Sequence, residues 1–457
     1  MSIRTALVFL EQINDFLHTY VAGAPLLVLI MFTGFYLTWR SNFLQVRRFG
    51  FIFRHTLGGV FVRRPPGEER KRGDISPFQA LTTALAATIG TGNIAGVATA
   101  ITLGGPGAIF WMWISAFVGM MTKYSEVVLA VHYREERRSG AVTGGPMYFL
   151  RNGLKAPLMA GIFALFGFLA AFGIGNLVQA NSVADAVFTT VGFPRLITGF
   201  ILAFLVGAVI IGGIRRIGSF TEKMVPIMAA FYVAGALLIL VSRSSLIPAA
   251  FSAIFQGAFT GTAATGGFAG AAVTAAIRFG IARGIFTNEA GLGSASIAHA
   301  SARTDHPAQQ GMWGVMEVFI DTHVVITITA LVILTTGVWQ VPGLEGAAMT
   351  TEAFNRGLPG PGGLIVAIGL IFFAFTTLIT WSFYGEKCFE YLFGEKSVII
   401  YRLLWLPLIV VGSVGGLRQV WAVADTLNSF MAIPNLFGLL GLSGVVVKLT
   451  RDYFKNR

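Results

Sequence analysis

Apolar runs of near membrane-spanning length recur from one end of the chain to the other. They include PLLVLIMFTGFYLTW, FILAFLVGAVIIGGI, THVVITITALVILTTGVW, GLIVAIGLIFFAFTTLIT and LLWLPLIVVGSVGG. Each extends to about 20 residues, the length of helix that crosses a bilayer. The runs are continuous rather than alternating, which excludes a transmembrane barrel. Charged residues are 12% of the chain, against roughly 25% in a soluble domain. The chain is therefore expected to be an all-α polytopic membrane protein. Spans are predicted at 23–39, 78–103, 107–133, 157–184, 196–214, 222–242, 248–276, 311–337, 363–385, 398–415 and 420–447, about 11 in all.

The formal net charge of +12 does not indicate nucleic acid, because the basic residues sit in loops between spans, where they orient a membrane protein. Arg40 to Arg72, Arg134 to Lys155, Arg215, Arg216, Lys223, Arg278, Arg283, Arg303, Lys387, Lys396 and the tail are assigned to the basic, cytoplasmic side. Arg195, Arg243, Arg356 and Arg418 are assigned to the other side. An odd span number then puts the N-terminus outside and the C-terminus in the cytoplasm of a plasma (inner) membrane protein. Cys388, the single cysteine, permits no internal disulfide. Glu11 and Asp15 interrupt the apolar stretch at the start, so residues 1–22 read as an interfacial helix rather than a signal peptide.

Two spans carry helix-breaking sequence at membrane depth. The first breaks at Gly90-Thr91-Gly92-Asn93. The second breaks within GTAATGGFAG, residues 261–270, with Gly266-Gly267 as the unwound pair. Unwound backbone inside a bilayer survives only where protein or a wet cavity surrounds it. Free N–H groups at one half-helix suit a carboxylate, and free carbonyls at the other suit a cation. Five spans separate the breaks. This spacing predicts an inverted 5+5 repeat, residues 78–247 and 248–447, behind one extra N-terminal span and basic loop (23–77), with a tail at 448–457. Segment 284–309 is too polar to span and reads as a cytoplasmic hairpin or gate.

Lys123 and Glu126 are expected to pair along one helix. Glu317, Asp321 and His323 raise the option of a proton relay, set against structural pairing. Glu289 is expected to cap a helix or lock an inner gate. No HExxH, cysteine cluster or phosphate loop appears, so no enzyme is expected.

ATIGTGNIAGVATAI, GGPGAIFWMW, TKYSE, TGGPMYF and GIFTNEAGLGSA together resemble the alanine/glycine:cation symporter (sodium:alanine symporter) family. The resemblance covers residues 75 to 450 and implies a leucine-transporter-like fold with one extra span. It implies sodium-coupled import of alanine or glycine, and the chain is expected to act as a monomer. It further implies substrate contacts at the backbone of Thr91 and Gly92, with Asn93 nearby, and at Gln179 in GIGNLVQANS. FTTLITW adds Thr377 and Trp381, four apart on one helical face. Sodium is assigned by the same resemblance to the Thr376 and Thr377 hydroxyls and the Ala86, Ile89 and Phe373 carbonyls. The inferred pocket holds no charged side chain, which suits a small zwitterion, and Phe268 and Trp381 are bulky enough to restrict it to small side chains. Proton-coupled symport and an ion channel remain the alternatives.

Overall fold

The computed structural model describes residues 14, 16–17, 21, 23–60, 73–137, 140–260, 269–415 and 418–455. These residues fold almost wholly into helices, the only spanning structure besides a closed barrel that satisfies its own backbone in lipid. Among them, six helices are long and apolar enough to cross a membrane, and two bent pairs raise the number to eight. In chain order the main helices are α1 (Ala24–Arg40), α2 (Pro77–Thr88), α3 (Gly92–Gly104), α4 (Ala108–His132), α5 (Pro157–Val191), α6 (Arg195–Ile210), α7 (Gly213–Ser242) and α8 (Ile247–Phe259). There follow α9 (Ala269–Asn288), α10 (Ser294–Ala300), α11 (Pro307–Thr335), α12 (Gly346–Gly357), α13 (Gly362–Phe393), α14 (Val398–Val414), α15 (Arg418–Gly441) and α16 (Ser443–Lys455). A two-stranded antiparallel ribbon, Glu135–Glu136 with Val142–Thr143, follows α4.

The surface and interior reverse the pattern of a soluble protein. Phe204 and Val241 are 76% and 74% exposed, while Lys123, Glu126, Glu317 and Asp321 are fully buried. An apolar surface this extensive requires lipid, and charges this deep require partners. The chain is a multi-pass membrane protein. Helix α4 is its most enclosed long helix. It packs against α1, α9 and α11, while α5 packs against α13 and α15, and α2 lies between α7 and α13. Small residues allow the closest approaches: a methyl group on Gly257 would lie 2.8 Å from the Gly107 nitrogen, the close packing that glycine permits in lipid.

Several boundaries differ from the sequence reading. The last predicted span ends early, because α15 and α16 meet at a 59° bend. Segment 284–309 is not a peripheral hairpin. Its residues 287–302 are buried, because side chains from other helices absorb their polar groups, as described below. Arg278 and Arg283 lie on α9 rather than in a cytoplasmic loop. Arg283 borders the same vestibule as Asp185, Arg195 and Glu352, at the end predicted to be poor in basic residues. The 1–22 helix falls almost wholly outside the described residues.

Helix α2 begins with a capping box: Ser76 Oγ accepts from Gln79 N (3.1 Å), and Gln79 Oε1 accepts from Ser76 N (2.9 Å). This fixes where the first interrupted helix starts. Ser76→Ala is expected to cost about 1 kcal/mol, the usual value of an N-cap, read as a lower thermal unfolding midpoint of the detergent-purified protein.

Candidate substrate and cation site

The first interruption falls where predicted. Helix α2 ends at Thr88, Ile89 turns out of helical geometry (ψ 88°), and α3 resumes at Gly92 in a wide π turn, with a 53° bend between the halves. At ψ 88° the Ile89 carbonyl leaves the helical ladder. Asn93 holds the break together. Its Oδ1 accepts from Gly90 N (2.9 Å) and its Nδ2 donates to Asp321 Oδ1 (2.7 Å). The Asn93 amide is thus spent on the break itself rather than presented to a ligand. Gly92 has no room for a side chain, since a methyl group there would run into Thr287.

Opposite this break lies a second one, at Glu289–Gly293 between α9 and α10. The predicted breakers Gly266 and Gly267, with Phe268, lie outside the described residues. The chain passes through this break at positive φ at Glu289 (54°), Gly291 (99°) and Gly293 (81°), a region glycine adopts at little cost and glutamate does not. The N–H groups of Gly291 and Gly293 both donate to Glu126 Oε1 (2.9 and 3.1 Å), which also accepts from Asn435 Nδ2 (2.7 Å). Glu289 accepts from Trp381 Nε1 through Oε1 (3.1 Å) and from Ser294 Oγ through Oε2 (2.5 Å). The two breaks are linked: Asn288 Nδ2 donates to Thr322 Oγ1 (3.2 Å), which donates to Asp321 Oδ2 (2.9 Å), and Asp321 in turn holds Asn93. Asp321 reaches both because α11 carries a π bulge at Phe319–Ile326.

Between the breaks lies a small cavity of about 20 Å³, lined by Thr91, Gly92, Gln179, Thr377 and Trp381 together with Phe286, Thr287, Glu289 and Asn428. All the described residues assigned to substrate therefore meet there, except Asn93, which stands behind it. A space of this size holds about one water, so a solute requires the walls to move. A much larger vestibule, about 920 Å³, reaches Thr91, Gly92 and Phe286 from the end that carries Asp185, Arg195 and Glu352. Phe286 borders both spaces. At the opposite end the chain is sealed. Ile75 pairs with Ala302 in a parallel bridge, Asp74 N donates to Ser301 O (2.8 Å) and Arg303 N to Ile75 O (2.8 Å), and Arg134 binds the carbonyls of Ala300 and Ala302 (3.0 and 2.7 Å).

Of the residues assigned to a cation, Thr377 Oγ1 lies 3.1 Å from the Ala86 carbonyl and 2.8 Å from that of Phe373. Thr376 Oγ1 shares the Phe373 carbonyl (3.0 Å) and also faces Met228 Sδ (3.6 Å). Neutral oxygens therefore cluster beside the first break, the donor type a hard cation takes. Thr380 continues the seam by donating to the Thr83 carbonyl (3.1 Å).

The buried charges pair differently from the sequence expectation. Lys123 binds Glu317 (3.1 Å) across helices, not Glu126, because Glu126 is committed to the second break. Glu317 also meets His299 Nε2 (2.9 Å), and His299 Nδ1 meets Gln310 (2.8 Å). Asp321 binds elsewhere and His323 stacks on Phe319 (5.7 Å), so the three do not form a hydrogen-bonded relay. The sequence reading missed Asp321 and Asn288 as links between the breaks and Asn428 as a wall of the cavity. The signal for the first was present: an acid inside an apolar run must have a partner.

A helical bundle with two facing interruptions, a cavity between them and a vestibule open to one side has the form of a membrane transporter. The sequence profile of the sodium:alanine symporter family matches residues 7–457, and the chain belongs to that family; it is a transporter and not an enzyme. The chain is 50% identical to the sodium/alanine symporter AgcS of Methanococcus maripaludis over 456 residues, 98% of each protein. It is 37% identical to the probable sodium/glutamine symporter GlnT of Bacillus subtilis over 449 residues, 98% of this chain and 91% of GlnT. Its fold matches that of MhsT, solved in complex with L-phenylalanine, with a TM-score of 0.56 at 14% identity over 83% of this chain and 89% of MhsT. That likeness establishes the leucine-transporter type of fold.

Asn93→Ala would strip partners from the Gly90 N–H and from Asp321 together. A loss of about 3 kcal/mol is expected, since both groups stay buried. Thermal unfolding in detergent measures it, and Gln179→Ala, which breaks only one bond to a carbonyl, is the milder comparison.

Proposed function

We propose that this chain is a sodium-coupled symporter that imports small neutral amino acids, alanine and glycine, by alternating access. The observation that carries the reading is the meeting of two interrupted helices at one cavity, with the Thr377, Ala86 and Phe373 oxygens against the first break. In this reading sodium binds those oxygens together with Thr376 and the Ile89 carbonyl, and so stiffens the break. The Thr91 and Gly92 backbone then receives the substrate carboxylate. Trp381, tied to Glu289, bounds the side chain and limits it to a small one. One extra methylene in an apolar pocket changes selectivity by only about 1–3 kcal/mol, so alanine and glycine both pass.

The vestibule faces outside and the sealed end faces the cytoplasm, with the N-terminus outside. This orientation is supported by Arg134, Arg151, Arg215 and Arg303 gathering at the sealed end, where the positive-inside rule puts them. Inward opening then requires parting Ile75 from Ala302 and releasing Arg134. Both members of the expected inverted repeat, residues 78–247 and 248–447, contribute helices to the bundle that rocks inward, since α4 of the first packs on α9 and α11 of the second.

A second reading, proton coupling, draws on the buried charge count. Lys123 stands near Glu126, Glu289 and Glu317, and Asp321 is buried on the same helix as Glu317, so buried carboxylates outnumber the lysine beside the breaks.

Purified protein in liposomes is expected to take up labelled alanine with an inward sodium gradient and not without one. Uptake driven by a pH gradient in sodium-free buffer would select proton coupling instead. Thr377→Ala is expected to raise the sodium concentration for half-maximal uptake about tenfold, the loss of roughly 1.4 kcal/mol of ion binding. An unchanged sodium requirement would remove Thr377 from the ion site.

A further inference from the structure

The cavity between the breaks has a polar face on which Gln179 is expected to touch substrate while Asn428 has no task in the function proposed above. Gln179 follows the π bulge at Ala171–Leu177 in α5. Its Nε2 donates to the Ile174 carbonyl (3.1 Å), which leaves Oε1 as its accepting end. Among the described residues, that Oε1 has no partner. Asn428, on α15, lines the same cavity, and its Oδ1 is likewise buried without a partner. Gln179 and Asn428 are 3% and 7% exposed. Buried polar atoms in folded proteins are nearly always hydrogen-bonded, so two bare carbonyl acceptors on one small cavity point to a ligand that donates.

Glu289 puts a carboxylate on the cavity wall, unlike the uncharged pocket expected from the sequence, but it and Thr377 already have partners. Both Glu289 oxygens are engaged, by Trp381 and Ser294, and the Thr377 hydroxyl already donates to carbonyls. We infer that Asn428, together with Gln179, forms the seat of the substrate's α-ammonium group, so that Asn428 is a substrate-positioning residue. The inference rests on the amino-acid symport reading and deepens it. An ammonium has three N–H donors and no acceptor, the complement of two neutral amide carbonyls. Neutral acceptors leave the zwitterion's own charges to balance, so the seat adds no buried charge. The carboxylate end then faces Thr91 and Gly92 on the first break, and the ammonium end faces α5 and α15.

The arrangement also ties binding to motion. Helix α15 contacts α5 and α1, so a substrate that bridges Asn428 to the first break connects the α15 wall to the interrupted helix. Asn428 further borders a side cavity of about 210 Å³ that reaches α1, with Leu26 and Ile30 on its wall. Its amide therefore stands between the small cavity and this side cavity.

The test is transport in liposomes with alanine and with N-methylalanine as competitor. Asn428→Leu keeps the volume and removes the acceptor. It is expected to raise KM for alanine about tenfold, the scale of one lost hydrogen bond to a charged group, with maximal rate and half-saturating sodium within twofold of wild type. Wild type should reject N-methylalanine, whose methyl group replaces an N–H in a seat with no spare volume, and the variant, which has already lost one acceptor, should discriminate less between the two. Asn428→Gln, which keeps a neutral amide acceptor, should recover part of the alanine KM that the leucine variant loses. Should Asn428→Leu fail to reach the membrane, Asn428→Ala and the sodium-dependent thermal shift with alanine give the same readout. An unchanged KM in the leucine variant overturns the inference while leaving symport intact. A shift in half-saturating sodium alone also overturns it, by assigning Asn428 to an ion. Wild-type protein without saturable alanine uptake would overturn symport itself, and this inference with it.

Discussion

Peptide groups released by a broken helix must find partners in a medium that supplies no water, and the rest of this structure follows from how that requirement is met. At the first break Asn93 reaches back to the Gly90 N–H and across to Asp321. At the second, Glu126 collects the N–H groups of Gly291 and Gly293. The second break borrows a side chain from another helix, while the first uses Asn93 of its own interrupted span, itself held by Asp321 of α11, so tertiary contacts hold both breaks in place. Because Asp321 and Thr322 also hold Asn288, the two breaks share one network, and the cavity between them is held from both sides.

The same requirement organises the buried charges. Glu126 is drawn away from Lys123 by backbone donors, and Lys123 takes Glu317, which also meets His299. Polar residues that would be costly in lipid thus sit in the interior as a connected set beside the second break. The asymmetry along the membrane normal has a similar origin. Residues 74–75 and 301–303, adjoining the two interrupted segments, pair backbone to backbone at one end, while the other end stays open around Phe286, whose ring lies 5.8 Å from the Arg283 guanidinium. A transporter with one sealed and one open end is what alternating access starts from.

How much of this was legible in the residues varies by element. The long apolar runs reveal the helical membrane class, and Gly90–Asn93 reveals the first break, because helix-breaking residues inside an apolar run have few other uses. Thr377 and Trp381 were placed on one face by their spacing, and both line the cavity. The second break was sought at Gly266-Gly267 because glycine pairs interrupt helices. That pair lies outside the described residues, and the interruption that faces the first one among the described residues is at NEAGLG, where the polarity of Asn288 and Glu289 reads as a cytoplasmic hairpin or gate. Polarity along a sequence does not say whether a group is wet or merely partnered, and here Ser294, Trp381 and Glu126 make it the latter.

Span length, helical class, basic loops and the first interruption were determined by local sequence, since each depends on the hydropathy or backbone preference of contiguous residues. Tertiary structure alone decided which carboxylate pairs with Lys123, that Asn93 serves the break rather than the cavity, and that Gln179 and Asn428 face one another's space. Those outcomes depend on residues more than a hundred positions apart competing for the same few donors and acceptors. No local pattern ranks that competition, because its result is set by which atoms the packed helices bring within hydrogen-bonding distance.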